Sequence, residues 1–134
     1  MKKLTSIFAI FMSLVFLASC EKDEGKLPNI AFKTGTGYVS TSTTLSKDTT
    51  VVIGISASKA EDKDVLVTFD GSRSYDGGTS ASFTSETLTG SNGDSYSKDV
   101  TITTRNQAGT EKYTFTVVNK DGLKNNVSLT ITVN

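Results

Sequence analysis

The chain holds one cysteine, Cys20, and no histidine in 134 residues. Without an imidazole to take a proton, Cys–His and Ser–His–Asp catalysis are both excluded. Histidine-ligated zinc is excluded for the same reason. Paired carboxylates remain. Glu61, Asp62 and Asp64 crowd one short stretch, and Asp70 and Asp76 flank a Gly/Ser-rich one. Two carboxylates can cleave a glycosidic bond when a cleft raises the pKa of one of them. A small sandwich offers little room for such a cleft, so these acids read as solvated loop residues. Calcium wants six or more oxygen ligands. The isolated Asp62/Asp64 spacing supplies no Asp-x-Asp-x-Asp-Gly loop, so no metal and no cofactor is expected. Binding has a better candidate in Arg73-Ser74-Tyr75-Asp76-Gly77-Gly78. Arg73, Tyr75 and Asp76 put a guanidinium, a stacking ring and a carboxylate on what reads as a flexible loop, residues 71–78. There is no tryptophan, and Tyr38 and Tyr96 are the other candidate stacking rings. Gly35-Thr36-Gly37 lacks the lysine and helix of a phosphate loop. The expectation is a protein that is not an enzyme.

The N-terminus carries different chemistry. Met1-Lys2-Lys3 is positive, and residues 7–18 are a 12-residue apolar run. About 20 residues are needed to span a bilayer, so this run fits the apolar region of a signal peptide. Leu17-Ala18-Ser19-Cys20 then resembles the lipobox of bacterial lipoproteins. That resemblance implies a cleaved signal peptide over 1–19 and diacylglyceryl transfer to the Cys20 thiol. Acylation of the new amino group follows from it too. Two or three acyl chains anchor stably where one is marginal. Glu21-Lys22-Asp23-Glu24 resembles the export signal of Bacteroidota-type surface lipoproteins. It implies an outer-membrane protein, lipid-anchored and displayed at the cell surface, with the periplasmic face as the alternative. Asp48-Thr49-Thr50 matches the short O-glycosylation motif of the same group, with Thr49 as acceptor.

Removing residues 1–19 leaves 115, enough for one domain. Such a domain buries roughly two thirds of its unfolded surface and needs no disulfide staple. Without Lys2 and Lys3 it has 12 basic and 14 acidic side chains, a net charge near −2. That argues against nucleic acid, which needs a clustered positive face. The division expected is a lipidated tether over 20–28, flexible as far as Pro28, and a folded domain over 29–134.

Within the domain, short period-2 runs alternate with turn clusters. Ile30 and Phe32 share a face. Residues 38–40 read as a second short strand. Val51, Ile53, Ile55 and Ala57 alternate through the strongest early strand. Val65, Val67 and Phe69 read as inward in the next. Residues 80–88 are weakly patterned, and Val100 and Ile102 point inward from a strand over 96–104. Tyr113, Phe115 and Val117 precede the Asn119-Lys120-Asp121-Gly122 turn, and Val127, Leu129, Ile131 and Val133 follow it. This is an apolar-in, polar-out hairpin. About seven strands with one-sided patterning predict an all-β, two-sheet antiparallel sandwich.

The run from Gly109 to Val117, the 119–122 turn and the final strand together resemble immunoglobulin-like and PKD-type modules. The resemblance spans 29–134. It implies that Tyr113 is a tyrosine-corner residue whose hydroxyl bonds backbone at the preceding corner. The functional expectation is an envelope-anchored, non-catalytic binding or adhesion module. Its partners would be the membrane, through Cys20, and a glycan or an envelope or host protein. The alternatives are an accessory subunit of a larger outer-membrane complex and, behind it, a small glycan hydrolase.

Overall fold

The structure is a computed structural model that describes residues 24–134. The apolar run, Cys20 and residues 21–23 lie outside the described residues. Eight strands and one helical turn follow in order: β1 (Asn29–Phe32), β2 (Thr43–Leu45), β3 (Thr50–Ser58), β4 (Leu66–Tyr75), β5 (Ala81–Thr87), α1 (Ser91–Asp94), β6 (Ser95–Thr103), β7 (Gly109–Asn119) and β8 (Lys124–Val133). They make two sheets, β1-β3-β6 and β2-β8-β7-β4-β5. Every pairing is antiparallel except β2 on β8.

Period-2 patterning supplies the core. Ile53, Ile55, Val100 and Ile102 of the small sheet meet Phe69, Phe115, Val117, Leu129 and Ile131 of the large one. Rings cross the interface: Phe69 lies 5.1 Å from Tyr96, and Phe32 meets Phe115 edge-on at 6.3 Å. Burial on this scale is the main favourable term in the fold.

The first strand divides between the sheets. After β1 the chain turns through Gly35 and Gly37, both at positive φ, where a side chain would be strained. It touches β3 again at Tyr38, bridged to Val52, and at Val39, whose N–H bonds the Val52 carbonyl at 2.9 Å, and then crosses to lie parallel to β8. The strand expected over 38–40 is therefore a single bridge, and the real strand is Thr43–Leu45. Segment 33–38 lies over Gly54 of β3, where a Cβ would come within 2.8 Å of Lys33 and 2.7 Å of Tyr38.

Three other expectations are corrected. The loop expected over 71–78 is strand as far as Tyr75, because β7 pairs β4 continuously from Thr68 to Tyr75 and β5 pairs its other edge. Gly71 is no breaker: its missing Cβ leaves room for Thr84 and the Phe115 ring. The core positions at the start of β4 are Leu66 and Phe69, not Val65 and Val67, because a bulge between Leu66 and Thr68 resets the alternation. The tether is not free up to Pro28. Asn119 donates its side-chain amide to the Lys26 carbonyl, Asn125 donates to that of Pro28, and Pro28 is buried.

These contacts orient the domain. The N-terminal segment enters at the end that carries the β3–β4 and β7–β8 turns. The other end carries the C-terminal end of β4 and the β6–β7 turn. Ten residues of β4 separate the two ends, about 30 Å at 3.3 Å per residue.

Candidate functional site

The ladder of β4 on β7 decides where the sequence candidates go. Partners across an antiparallel pair share a face. Gly71, Arg73 and Tyr75 face Phe115, Tyr113 and Glu111 respectively. All six positions therefore belong to the inner face of the large sheet. Tyr113 and Glu111 are fully buried on that face, whereas Arg73 is exposed and Tyr75 half-buried.

Arg105 and Glu111, neither singled out in the sequence, hold this end together. Glu111 is fully buried. Its Oε1 accepts from the Arg105 backbone N–H at 2.8 Å and from Arg105 Nε at 3.1 Å. Its Oε2 accepts from the Tyr113 hydroxyl at 2.7 Å. The tyrosine-corner expectation is corrected here: Tyr113 bonds the Glu111 side chain, and Glu111 in turn holds the backbone. Burial pushes the Tyr113 hydroxyl pKa up, and the hydrogen bond to Glu111 adds to it.

Asp76 sits beyond β4 at φ 52°, in the left-handed region. Its Oδ1 accepts from Thr110 N–H at 2.7 Å, and its Oδ2 accepts from both Arg105 Nη1 and Nη2 at 3.1 Å. The Thr110 hydrogen bond first, and then Arg105, hold its carboxyl below the usual range. For Arg105 itself, burial opposes the charge, but the bonds to Asp76 and Glu111 outweigh it and raise the pKa.

Tyr75 lies between two guanidiniums, with Arg105 4.0 Å and Arg73 5.5 Å from its ring centroid. Arg73 also stands 5.5 Å from the Phe83 ring. Among the described residues its guanidinium makes no hydrogen bond and no ion pair. The structure therefore brings Arg73, Tyr75 and Asp76 together, but in unequal roles. Asp76 is a structural clamp, Tyr75 is half covered by Arg105, and Arg73 presents five N–H donors to solvent on an aromatic base.

The carboxylate pair suggested by Asp70 and Asp76 is not formed. Asp70 lies on the outer face of the large sheet, where the Ser82 hydroxyl donates to it. Tyr96 is no stacking platform: it is buried and donates to Glu86 at 2.6 Å. Tyr38 donates to Asp99, which also pairs with Lys33. Thr49 is half-buried between β2 and β3, with its N–H bonded to Thr104 Oγ1 at 2.9 Å. Cys20 lies outside the described residues. The sequence did carry one signal for Glu111: it is an acid at an inward period-2 position, two residues before Tyr113. Arg105 had no comparable signal, because only the fold brings it back to Asp76.

No family model and no curated protein matches the chain. Solved structures do share its fold. A superoxide reductase (neelaredoxin) from Ignicoccus hospitalis aligns with TM-score 0.53 at 8% identity, over 81% of each chain. An alkylpurine DNA glycosylase from Pseudomonas fluorescens aligns with TM-score 0.51 at 9% identity, over 78% of this chain. This chain matches 30% of that glycosylase's length. At such identities the likeness concerns the fold alone. Fold and site together define a two-sheet, all-β sandwich with a cationic–aromatic surface at one end.

Proposed function

We propose that this chain is an envelope-anchored lipoprotein whose immunoglobulin-like domain binds a glycan or protein ligand without catalysis. Arg73 is the principal contact. The observation that carries the reading is the exposed Arg73 guanidinium, stacked on Tyr75 and Phe83 with its N–H donors unspent. A planar fork of donors beside aromatic carbon suits hydroxyl-rich or carboxylate-bearing ligands. Its position supports the same reading. The N-terminal segment, which resembles a lipoprotein leader through Cys20, joins the opposite end of the sandwich. A surface carried on a lipid anchor there would face away from the membrane. The strand order and the division of the first strand between two sheets support the immunoglobulin-like type. The clamping of Asp76 and Glu111 by donors favours a non-catalytic role over a hydrolytic one.

The test is a binding screen of the full chain in detergent against glycans, host proteins and envelope extracts, repeated with Arg73→Ala and Arg73→Lys. Arg73→Ala should weaken binding about tenfold or more without lowering the melting temperature, as for a residue at a binding hot spot. Arg73→Lys keeps the charge but loses the fork, and should restore little. A blank screen, or a ligand indifferent to Arg73, would reject the proposal.

A second reading, an accessory subunit of a larger complex, is favoured by β5. That strand pairs only with β4 among the described residues and leaves its other edge open. Such an edge can complete a partner's sheet. A stoichiometric partner recovered from cross-linked cells would favour this reading over the first.

A further inference from the structure

The turn between β3 and β4 buries a carboxylate that accepts no hydrogen bond from a described residue. Asp64 is 0% exposed, and neither of its oxygens accepts a hydrogen bond among the described residues. Glu61 Oε2 is also buried and unbonded, although the Glu61 side chain as a whole is 27% exposed. The two residues are joined by a turn bond, Asp64 N–H to Glu61 carbonyl at 3.0 Å. An isolated charge out of water is costly, so a buried carboxylate is ordinarily paired or bound to a metal.

A second turn brings another acid to the same place. A Cβ at Gly25 would lie 3.1 Å from Asp64 Oδ2 and 3.4 Å from Asp121 Oδ2. The two oxygens, with the Leu123 Cδ1 methyl at 3.3 Å between those distances, therefore border the same glycine of the N-terminal segment. Gly25, at φ +68°, lets the backbone pass over them. Asn119 holds this assembly in place. Its Oδ1 accepts from Asp121 and Leu123 N–H at 3.1 and 2.9 Å, and its Nδ2 donates to the Lys26 carbonyl. Lys26 is 72% exposed and reaches only the other oxygen of Glu61, at 3.6 Å. Asp62, in the same turn, points to solvent beside Lys59.

We propose that Asp64, with Asp121, binds calcium where the N-terminal segment meets the sandwich. The side-chain donors are all hard oxygens, which suits calcium or magnesium and disfavours the soft metals. Donors from two turns and a glycine segment make an irregular site, which calcium tolerates and magnesium does not. Among the described residues no three acidic side chains converge closely enough to hold an ion by themselves. Backbone carbonyls and water complete the shell, and the affinity falls in the weak class, a Kd of about 0.1–1 mM. The bound ion would fasten the N-terminal segment to the domain.

The experiment is a set of thermal melts of the full chain in detergent, in chelator, in calcium and in magnesium. The ion concentration is about 10 mM, tenfold above the weak end of that range. Calcium should raise the melting temperature by several degrees and magnesium by much less. Asp64→Asn should lose the calcium response. Asp62→Asn should keep the full response. Should Asp64→Asn fail to fold, Asp121→Asn takes its place, and a reduced calcium response supports the site. No calcium shift, an equal magnesium shift, or a full calcium response in the substituted chain overturns the proposal.

Discussion

Glu111 and Asp76 are acids used as fasteners. Each takes three hydrogen bonds, and Arg105 supplies two of the three to both. Removing one partner of a buried pair leaves the others desolvated and unbonded, which costs about 3–5 kcal/mol. Glu111→Gln keeps the shape but offers one acceptor oxygen where two are in use. It should lower stability by about 3 kcal/mol, seen as a fall in the denaturant midpoint at unchanged slope. Asp76 makes a second prediction, in acid. Its folded carboxyl lies below the ordinary value of 3.8, so the unfolded chain binds that proton more readily. Its contribution is complete well above pH 3.8 and is lost as pH falls through the lowered folded value. Asp76→Asn should therefore flatten the acid limb of a stability–pH curve, with its neutral-pH stability already reduced. An acid limb as steep as before would show that Asp76 takes no part in it.

At the scale of elements, close approach depends on missing side chains. Gly71 sits in mid-β4 between Thr84 and Phe115, and a Cβ there would come 2.6 Å from Thr84 Cγ2 and 3.1 Å from the Phe115 ring. Such overpacking costs about 1–3 kcal/mol. Gly71→Ala should lower the melting temperature although alanine has the better strand propensity. An unchanged or higher value would mean that β5 simply moves aside. The glycine that suggested a loop in the sequence is thus a packing device. It lets β4 lie between β5 and β7 and carry Arg73 and Tyr75 on a strand rather than on a mobile segment. A side chain fixed this way loses less freedom on binding than one on a loop.

For the whole molecule, the two ends differ in kind. One receives the N-terminal segment and gathers Glu61, Asp64 and Asp121. The other presents Arg73 and Tyr75 about 30 Å away. If Cys20 carries the anchor, Cys20→Ala should release the chain from the membrane fraction without changing the melting temperature of the domain. Continued membrane association would reject the lipid anchor. Protease treatment of intact cells would separate surface display from the periplasmic face.

Much of the fold was legible because it depends on local periodicity. Ile53, Ile55, Val100, Ile102 and the 113–133 hairpin announce their inward faces by alternation alone, since a strand's side chains repeat every two residues. The absence of histidine also needed no structure, and the chemistry expected of Cys20 rests on the lipobox resemblance of residues 17–20 rather than on the fold. What the tertiary structure decided was everything that depends on distant partners. Ser72, Ser74 and Gly71 have weak strand preference, and become strand because β5 and β7 bond both edges. Arg105 meets Asp76 across 29 positions, and Asp64 and Asp121, 57 positions apart, both come up against Gly25. In the sequence Asp64 is one acid in a charged turn. Folding takes it out of water and packs it under the N-terminal segment, and that environment, not the residue type, makes it a candidate for chemistry.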